Sequence, residues 1–503
     1  MKNILYLFSF CLALVICTGC SNSKNKSYYL DAVNGNDNRS GLSKAKAWKS
    51  LEKVRGLQLE PGDKILLKRG TVFTGELEIS GQGTSDNRIY VEAYGEGSKP
   101  CIVGNDTSLY AVHIFNSDYL TLQNIEIVNT GKERKPFRTG LKIECKDYGV
   151  SRNIVVDSVD VRDVNGSLVK EKGGGSGILI VNGGKDVISV FDSLTIQNCC
   201  IRRCSRNGII WAAYSSRENW HPSKHTVVRR NLIEEVPGDG IVPIGCDSTL
   251  IEYNIMRNCP DILPDSEAAA GIWPWSCDNT VIQFNEVSGH KAPWDAQGFD
   301  SDWNCCNTLI QYNYSHDNDG GMVLICNSGD SPASFNVGNI GTVVHYNISV
   351  NDGLRKRPTR VGMFSPIIHL AGPVKRTTIR NNIIMAGWKS TKEADRSMMT
   401  FDSWGGYPDS TFVTRNIFNA PEVSTFNFTK STNNFFEGNY YQGEFTNIPV
   451  EPKGKEMLDR EYERLSKLLE TVEIGGTQGT FVNRKAIHKL FNIDWLFFDM
   501  DKR

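Results

Sequence analysis

Ten short segments of this chain can be laid over one another: TLQN at 121–124, VVDS at 155–158, TIQN at 195–198, VRRN at 228–231, IEYN at 251–254, IQFN at 282–285, IQYN at 310–313, VHYN at 344–347, IRNN at 379–382 and VTRN at 413–416. All but one end in Asn, the exception being Ser158. Six share a longer pattern that starts with Thr, as in 226–231, 249–254, 280–285, 308–313, 342–347 and 377–382. A period of roughly 20–50 residues is the signature of a solenoid, and β-branched segments this short are strands rather than helices. The fold expected is all-β: a right-handed parallel β-helix of about ten coils, each adding strands about 4.8 Å from the last. Asn at a recurring corner tolerates a left-handed backbone, and its amide can bond the Asn of the next coil to form a ladder. One coil cannot bury its own apolar face, so stacking supplies the core.

A chain of 503 residues, 40% hydrophobic and 22% charged, can bury a large core, and a net charge of −1 gives no basic footprint for nucleic acid. The N-terminus reads as a targeting segment: Lys2, an apolar run over 4–16, then Thr18-Gly19-Cys20-Ser21. The small residues before Cys20 resemble a bacterial lipoprotein signal, although Cys17 stands where Leu is usual. That resemblance implies lipidation at Cys20, a tether over 21–27 and a cell-envelope location, the outer membrane of a Gram-negative bacterium being the expected one. The apolar run is short for a membrane span.

Residues 28–100 are expected to cap the first coil, with a short amphipathic helix around Trp48; 101–440 form the coils and 441–503 a C-terminal cap or extension. Cys246, Cys277 and Cys305 each precede a repeat Asn by eight residues and should stack. Side chains in register point the same way, poor geometry for a disulfide, so buried free thiols are favoured.

A second strand family precedes the Asn segments: GIIW at 208–211, GIVPI at 240–244, GIWPW at 271–275, GFDSDW at 298–303, GMVLI at 321–325 and PIIHL at 366–370. Aligned on the Gly, GFDSDW alone carries acids, Asp300 and Asp302, and period-2 alternation puts them on one face. The matching positions one coil earlier are Trp273 and Trp275. An inward face would bury two carboxylates without partners, so an outward face is expected. The neighbouring turns add Asp239, Glu267, His290, Lys291, the Trp294-Asp295 pair, His316, Asp317 and Asp319, with Trp303 at the end of the strand. Stacking should bring several of these to one rim.

This architecture and composition resemble those of carbohydrate-active β-helix enzymes, the pectinase-like glycoside hydrolases and polysaccharide lyases, over 28–440. The layout YY…NGND…SGLS…PGD of the opening also resembles that of secreted bacterial β-helix proteins. The resemblance implies a polysaccharide or oligosaccharide substrate. As a hydrolase the chain would need two carboxyl groups, with Asp300, Asp302, Asp317, Asp319 and Glu267 as candidates and His316 tuning a carboxyl. Trp273, Trp275, Trp294, Trp303, His290, Lys291 and Asp239 would hold the sugar. Such chemistry requires no cofactor. As a lyase on a uronate polymer it would need a base and a cation, drawn from Lys291, Arg355, Lys356 and Arg357, with Ca2+ possible on the acid cluster. A third reading is a glycan-binding surface lipoprotein without catalysis.

Overall fold

The computed structural model describes residues 25–332, 334–359, 361–387, 395–451, 465–474 and 476–491. Cys20, the signal and most of the tether lie outside them. Among the described residues the chain is a parallel β-helix with three faces. One face is a 14-stranded sheet, one a 13-stranded sheet, and the third is divided into a 7-stranded and a 6-stranded sheet. Consecutive coils pair in parallel, as Val281–Gln283 does with Leu309–Gln311. Ile and Val at alternate positions (Ile196, Val228, Ile251, Ile282, Ile310, Val344) are fully buried and fill the interior.

The repeat has a different register from the one its sequence suggests. Asn198 ends TIQN, but Gln197 pairs with Arg229, so Asn198 faces Arg230 rather than Asn231. The left-handed corner residue is Asn124, Ser158 and Asn198 in the early coils. From the next coil on it is the residue before the Asn: Arg230, Tyr253, Phe284, Tyr312, Tyr346, Asn381 and Arg415. The later Asn therefore sits just past the bend, pointing inward. Asn231, 254, 285, 313, 347, 382, 416 and 439 are buried and form a continuous ladder. Up to Asn416, the backbone N–H and Nδ2 of each both donate to Oδ1 of the next, at 3.0 and 3.0 Å from Asn285 to Asn313 and 2.9 and 3.0 Å from Asn313 to Asn347. Nδ2 also reaches a carbonyl of the preceding coil, such as Ile282 O at 2.9 Å. The freed corner position points outward, where Tyr253, Phe284, Tyr312 and Tyr346 stack at 5.0, 5.0 and 5.3 Å.

The ends are closed by different means. The first strand, Ser27–Leu30, pairs with Lys64–Lys68, and Trp48, Leu51 and Val54 cover the first coil. The expected helix there is only the 3-10 turn Leu51–Lys53. At the far end, Asn439 has no further Asn; its N–H and Nδ2 donate to the Glu451 carboxylate at 3.1 and 2.8 Å. The antiparallel hairpin Leu469–Ile474 and Thr477–Val482 and the helix Arg484–Leu490 lie along the flank rather than over the end. Phe481 packs on Tyr253, His488 meets the Tyr312 hydroxyl at 2.7 Å, and Thr480 N donates to Glu286 at 2.8 Å. No helix among the described residues is long and apolar enough to cross a membrane.

The third face breaks where the acids gather. Gly240, Gly271 and Gly298 stand in file because a Cβ on either of the first two would strike the carbonyl oxygen of the next. Pro243 and Pro274 then remove two ladder donors. Among the described residues only isolated bridges, Ile241 to Ile272, Ile244 to Trp275 and Ile272 to Phe299, carry the sheet across. Past the break, Phe299 pairs with Val323, so Gly298 faces Met322 and Gly321 lies one residue out of the file. Cys246, Cys277 and Cys305 do stack, buried and free, with Cys246 N donating to Cys277 Sγ at 3.3 Å.

Candidate active site

Asp300 and Asp302 project from the outer face of the strand Phe299–Ser301 and its extension, while Phe299 fills the interior. Register puts Trp273 beside Asp300 and Trp275 beside Asp302 on the coil before. Leu324 and His369 continue the first file on later coils, and Cys326, Ala371 and Asp402 the second. Outward does not mean exposed for both acids. Asp300 is 4% exposed and its Oδ1 has no hydrogen-bond partner. Burial first, then the charges of Asp295 and Asp302, push its carboxyl well above the usual range. Asp302 is half-buried. Burial raises its carboxyl too, opposed by hydrogen bonds from Cys326 Sγ at 3.0 Å and Trp303 N at 2.6 Å.

The third member of the cluster is Asp295. Burial, then the charges of Asp302 and Asp239, push its carboxyl up to about 7. Its segment is held under strain: Asp295 and Ala296 both have left-handed φ, 61° and 64°. Arg355, buried, clamps it by donating to the carbonyls of Ala292, Pro293 and Asp295 at 3.1, 2.6 and 2.9 Å. Trp294–Asp295 also pairs with Ala268–Ala269 of the coil before. Beside it opens a cavity of about 640 Å³ walled by Trp294, Asp295, Gln297, His369, Asp402 and Trp404. His369 Nε2 lies 3.6 Å from Asp402 and its ring meets Trp404 edge-on at 6.0 Å. A polar groove of about 710 Å³ lies between the 13-stranded sheet and the C-terminal hairpin, but its acids are paired, Glu126 with Arg162 and Asp160 with Lys99.

Behind the acids is a buried ionic support. Arg206 lies 3.5 Å from Asp239 and 3.4 Å from Glu267. Asp239 accepts from Trp273 Nε1 at 3.1 Å, and Glu267 from the Lys170 backbone N–H at 2.9 Å. Asp239 thus fixes the indole, and Glu267 fixes the turn carrying Lys170, whose ammonium sits 5.7 Å from the Trp273 ring. The charge of Lys170 lowers the carboxyls of both Asp295 and Asp302.

Several residues expected at the rim are placed elsewhere. His316 and Asp317 belong to the 13-stranded sheet and its turn. There His316 bridges Glu286 at 3.2 Å and Asp317 at 2.7 Å. Burial pulls its imidazole down, yet those two carboxylates leave it net raised. His290 is buried against Gly238 O at 2.9 Å, and burial lowers it to about 4, so it supports the loop instead of meeting a sugar. Lys291 is exposed. Asp319 is buried and feels Arg355 and Lys356. Of the basic groups, Arg355 is spent on carbonyls and Arg357 pairs with Asp261 at 2.6 Å. Trp303 packs with Leu324, Cys326 and Trp404. Among the described residues no group of three or more His, Cys, Asp or Glu is arranged to hold a metal. Sequence reasoning passed over His369, Asp402, Trp404 and Lys170, and named Asp295 only as part of its segment.

Residues 176–348 match the family described as right handed beta helix region. The chain is 25% identical over 431 residues to lacto-N-biosidase of Bifidobacterium longum subsp. longum, an alignment covering 67% of this chain and 26% of that protein. It therefore spans about a quarter of the length of the curated relative it matches. Crystal structures of a GH136 lacto-N-biosidase from Eubacterium ramulus, as the selenomethionine derivative and the native protein, superpose with TM-scores of 0.58 and 0.57 at 24% and 23% identity. Each covers 84% of this chain and 68% of the other. The chain is a right-handed parallel β-helix, homologous in sequence to one lacto-N-biosidase and similar in backbone to another.

Proposed function

We propose that this protein is a glycoside hydrolase acting on an oligosaccharide, with Asp295 as general acid and Asp302 as its carboxylate partner. The observation that carries this reading is the pair itself: two half-buried carboxyls, Asp295 on the cavity wall and Asp302 close enough for its charge to act on it, held by different partners. Asp295 receives burial and the negative charge of Asp302 and Asp239, which leaves it protonated to about pH 7. Asp302 accepts from Trp303 N–H and Cys326 S–H, which favour its ionised form.

The chemistry follows from that division. Asp295 gives its proton to the glycosidic oxygen as the C–O bond breaks, and the leaving sugar departs as an alcohol. The anomeric carbon gains positive character, which the Asp302 carboxylate faces. Asp302 either bonds to that carbon or takes a proton from the water that attacks it, and the anomer of the first product distinguishes the two. Burial of Asp300 favours its neutral form, which keeps a third negative charge away from the transition state. Trp294 and Trp404 offer flat faces for pyranose rings. The chemistry calls for no metal, and a chelator is expected to leave it unchanged.

Homology to a lacto-N-biosidase supports this class, and oligosaccharides ending in lacto-N-biose are the first substrates to try. Attachment to the outer membrane through lipid on Cys20 completes the proposal; incorporation of labelled fatty acid, lost in Cys20→Ala, tests it. The catalytic test is hydrolysis followed by reducing-sugar and ultraviolet readouts together. New reducing ends without ultraviolet absorbance support hydrolysis. An unsaturated, absorbing product would mean elimination, and Lys170, whose charge acts on both Asp295 and Asp302, would then be the residue to examine.

A further inference from the structure

The outward file that carries Trp273 and Asp300 runs the length of the third face. Traced back toward the N-terminus it reads Val242, Ile210, Leu179, Lys142, His113 and Glu78, each register-paired with the next. Six coil steps separate His113 from Asp300, about 29 Å at the usual strand spacing. At that far end lies a trough of about 510 Å³. Its walls are rings: Tyr110 lies 4.5 Å from His113, and His113 5.5 Å from Phe115. Phe115 is 37% exposed although it sits mid-sheet. Glu78 brings a carboxylate to the lining of the trough, and His113 is held from behind by Glu144, whose Oε2 accepts from Lys142 Nζ at 2.7 Å and meets His113 Nε2 at 2.9 Å. Gln82, Asn116 and Tyr148 edge the trough.

Exposed ring faces beside a carboxylate oxygen and side-chain amides match the two surfaces of a sugar, apolar C–H faces and an equatorial belt of hydroxyls. A protein partner would want a wider apolar patch, and a nucleic acid would not be offered Glu78 and Glu144. We propose that this trough is a second oligosaccharide-binding site, separate from the acid cleft, which takes neutral sugars through Tyr110, Phe115, Glu78 and Gln82. At that separation a short oligosaccharide cannot fill both sites. The trough therefore holds one branch of a large or clustered glycan while another branch samples the cleft, raising its effective concentration.

The test uses the full chain with Asp302→Asn, so that nothing is turned over, on an array of neutral milk-type and plant oligosaccharides, followed by titration with the best binder. Phe115→Ala and Gln82→Ala remove exposed side chains and are expected to leave the melting temperature unchanged. Together they should weaken that binding by about tenfold or more, whereas Trp404→Ala should leave a component of it intact. Failure of every array sugar to bind overturns the proposal. So does binding that disappears with Trp404→Ala and ignores Phe115 and Gln82. If binding depends on Phe115 but no glycan is ever cleaved by the unsubstituted chain, the trough stands and the hydrolase reading falls.

Discussion

Two stacks of buried polar side chains run through the same coils and differ in one respect. In the Asn ladder every Oδ1 from Asn254 on accepts two donors from the coil before, and the last donors meet Glu451. In the acid cluster Asp300 keeps an oxygen without a partner, Asp302 raises Asp295, and both raise Asp300. A satisfied polar stack adds to stability; an unsatisfied one costs it and is kept where its charge state is of use. Substitutions should therefore move stability in one stack and turnover in the other.

The largest effect expected is on turnover. Asp302→Asn should lower kcat by about a thousandfold or more, and Asp295→Asn by roughly a hundred- to ten-thousandfold, with little loss of melting temperature in either. A fall in stability that parallels the fall in rate would erase the contrast. In the unsubstituted enzyme kcat should decline as pH rises through about 7, when Asp295 loses its proton, and Asp295→Asn should lack that limb.

Next comes the ladder. Asn313→Ala strips the acceptor from two Asn285 donors, and denaturant unfolding should show a loss of about 3 kcal/mol with kcat almost unchanged. Asp300→Asn should run the other way. A carboxyl raised in the folded state favours folding below its unfolded value near 4 and loses that advantage as pH rises through its folded value. Asp295, near 7, and Asp352, near 6, act in the same sense. Stability should thus decline from about pH 4 to 7 and beyond, and Asp300→Asn should flatten the decline, seen as urea midpoints at pH 5 and pH 8 moving closer together. The smallest effect belongs to Cys326→Ala, which deletes one weak donor to Asp302 and should cost kcat a few-fold, about 1 kcal/mol; Cys326→Ser should restore most of it.

The fold was readable because the coil forces the same residue types to recur. Asn and β-branched positions return at every turn, and alternation alone placed Asp300 and Asp302 on the outer face. Register was harder, since Asn suits both the left-handed corner and the inward position after it, and Asn198 and Asn231 look alike while lying one residue apart. The same ambiguity of Gly displaced Gly321 from its file. The site was only half legible. His316 and Asp317 sit close to the acids in sequence, but a turn separates the faces and carries them to another sheet. His369, Asp402 and Trp404 sit far away in sequence, yet stacking brings them to the same cavity. The position of Asp295 depends on two consecutive left-handed residues and an Arg355 clamp 60 residues later, neither of which leaves a periodic signal.

The ladder has a direction. Each Asn hands its backbone N–H and one amide hydrogen toward the C-terminal end and its oxygen toward the other, so these dipoles add in line, and Glu451 stands as the counter-charge where the positive end emerges. Growth of such a chain is quantised: a whole coil can be inserted or lost in the interior while both termini of the dipole keep their partners. Part of a coil breaks the line, and an ending before Glu451 leaves the dipole open. Proteins of this design can change length to suit a longer or shorter ligand only in steps of one coil, about 4.8 Å at a time.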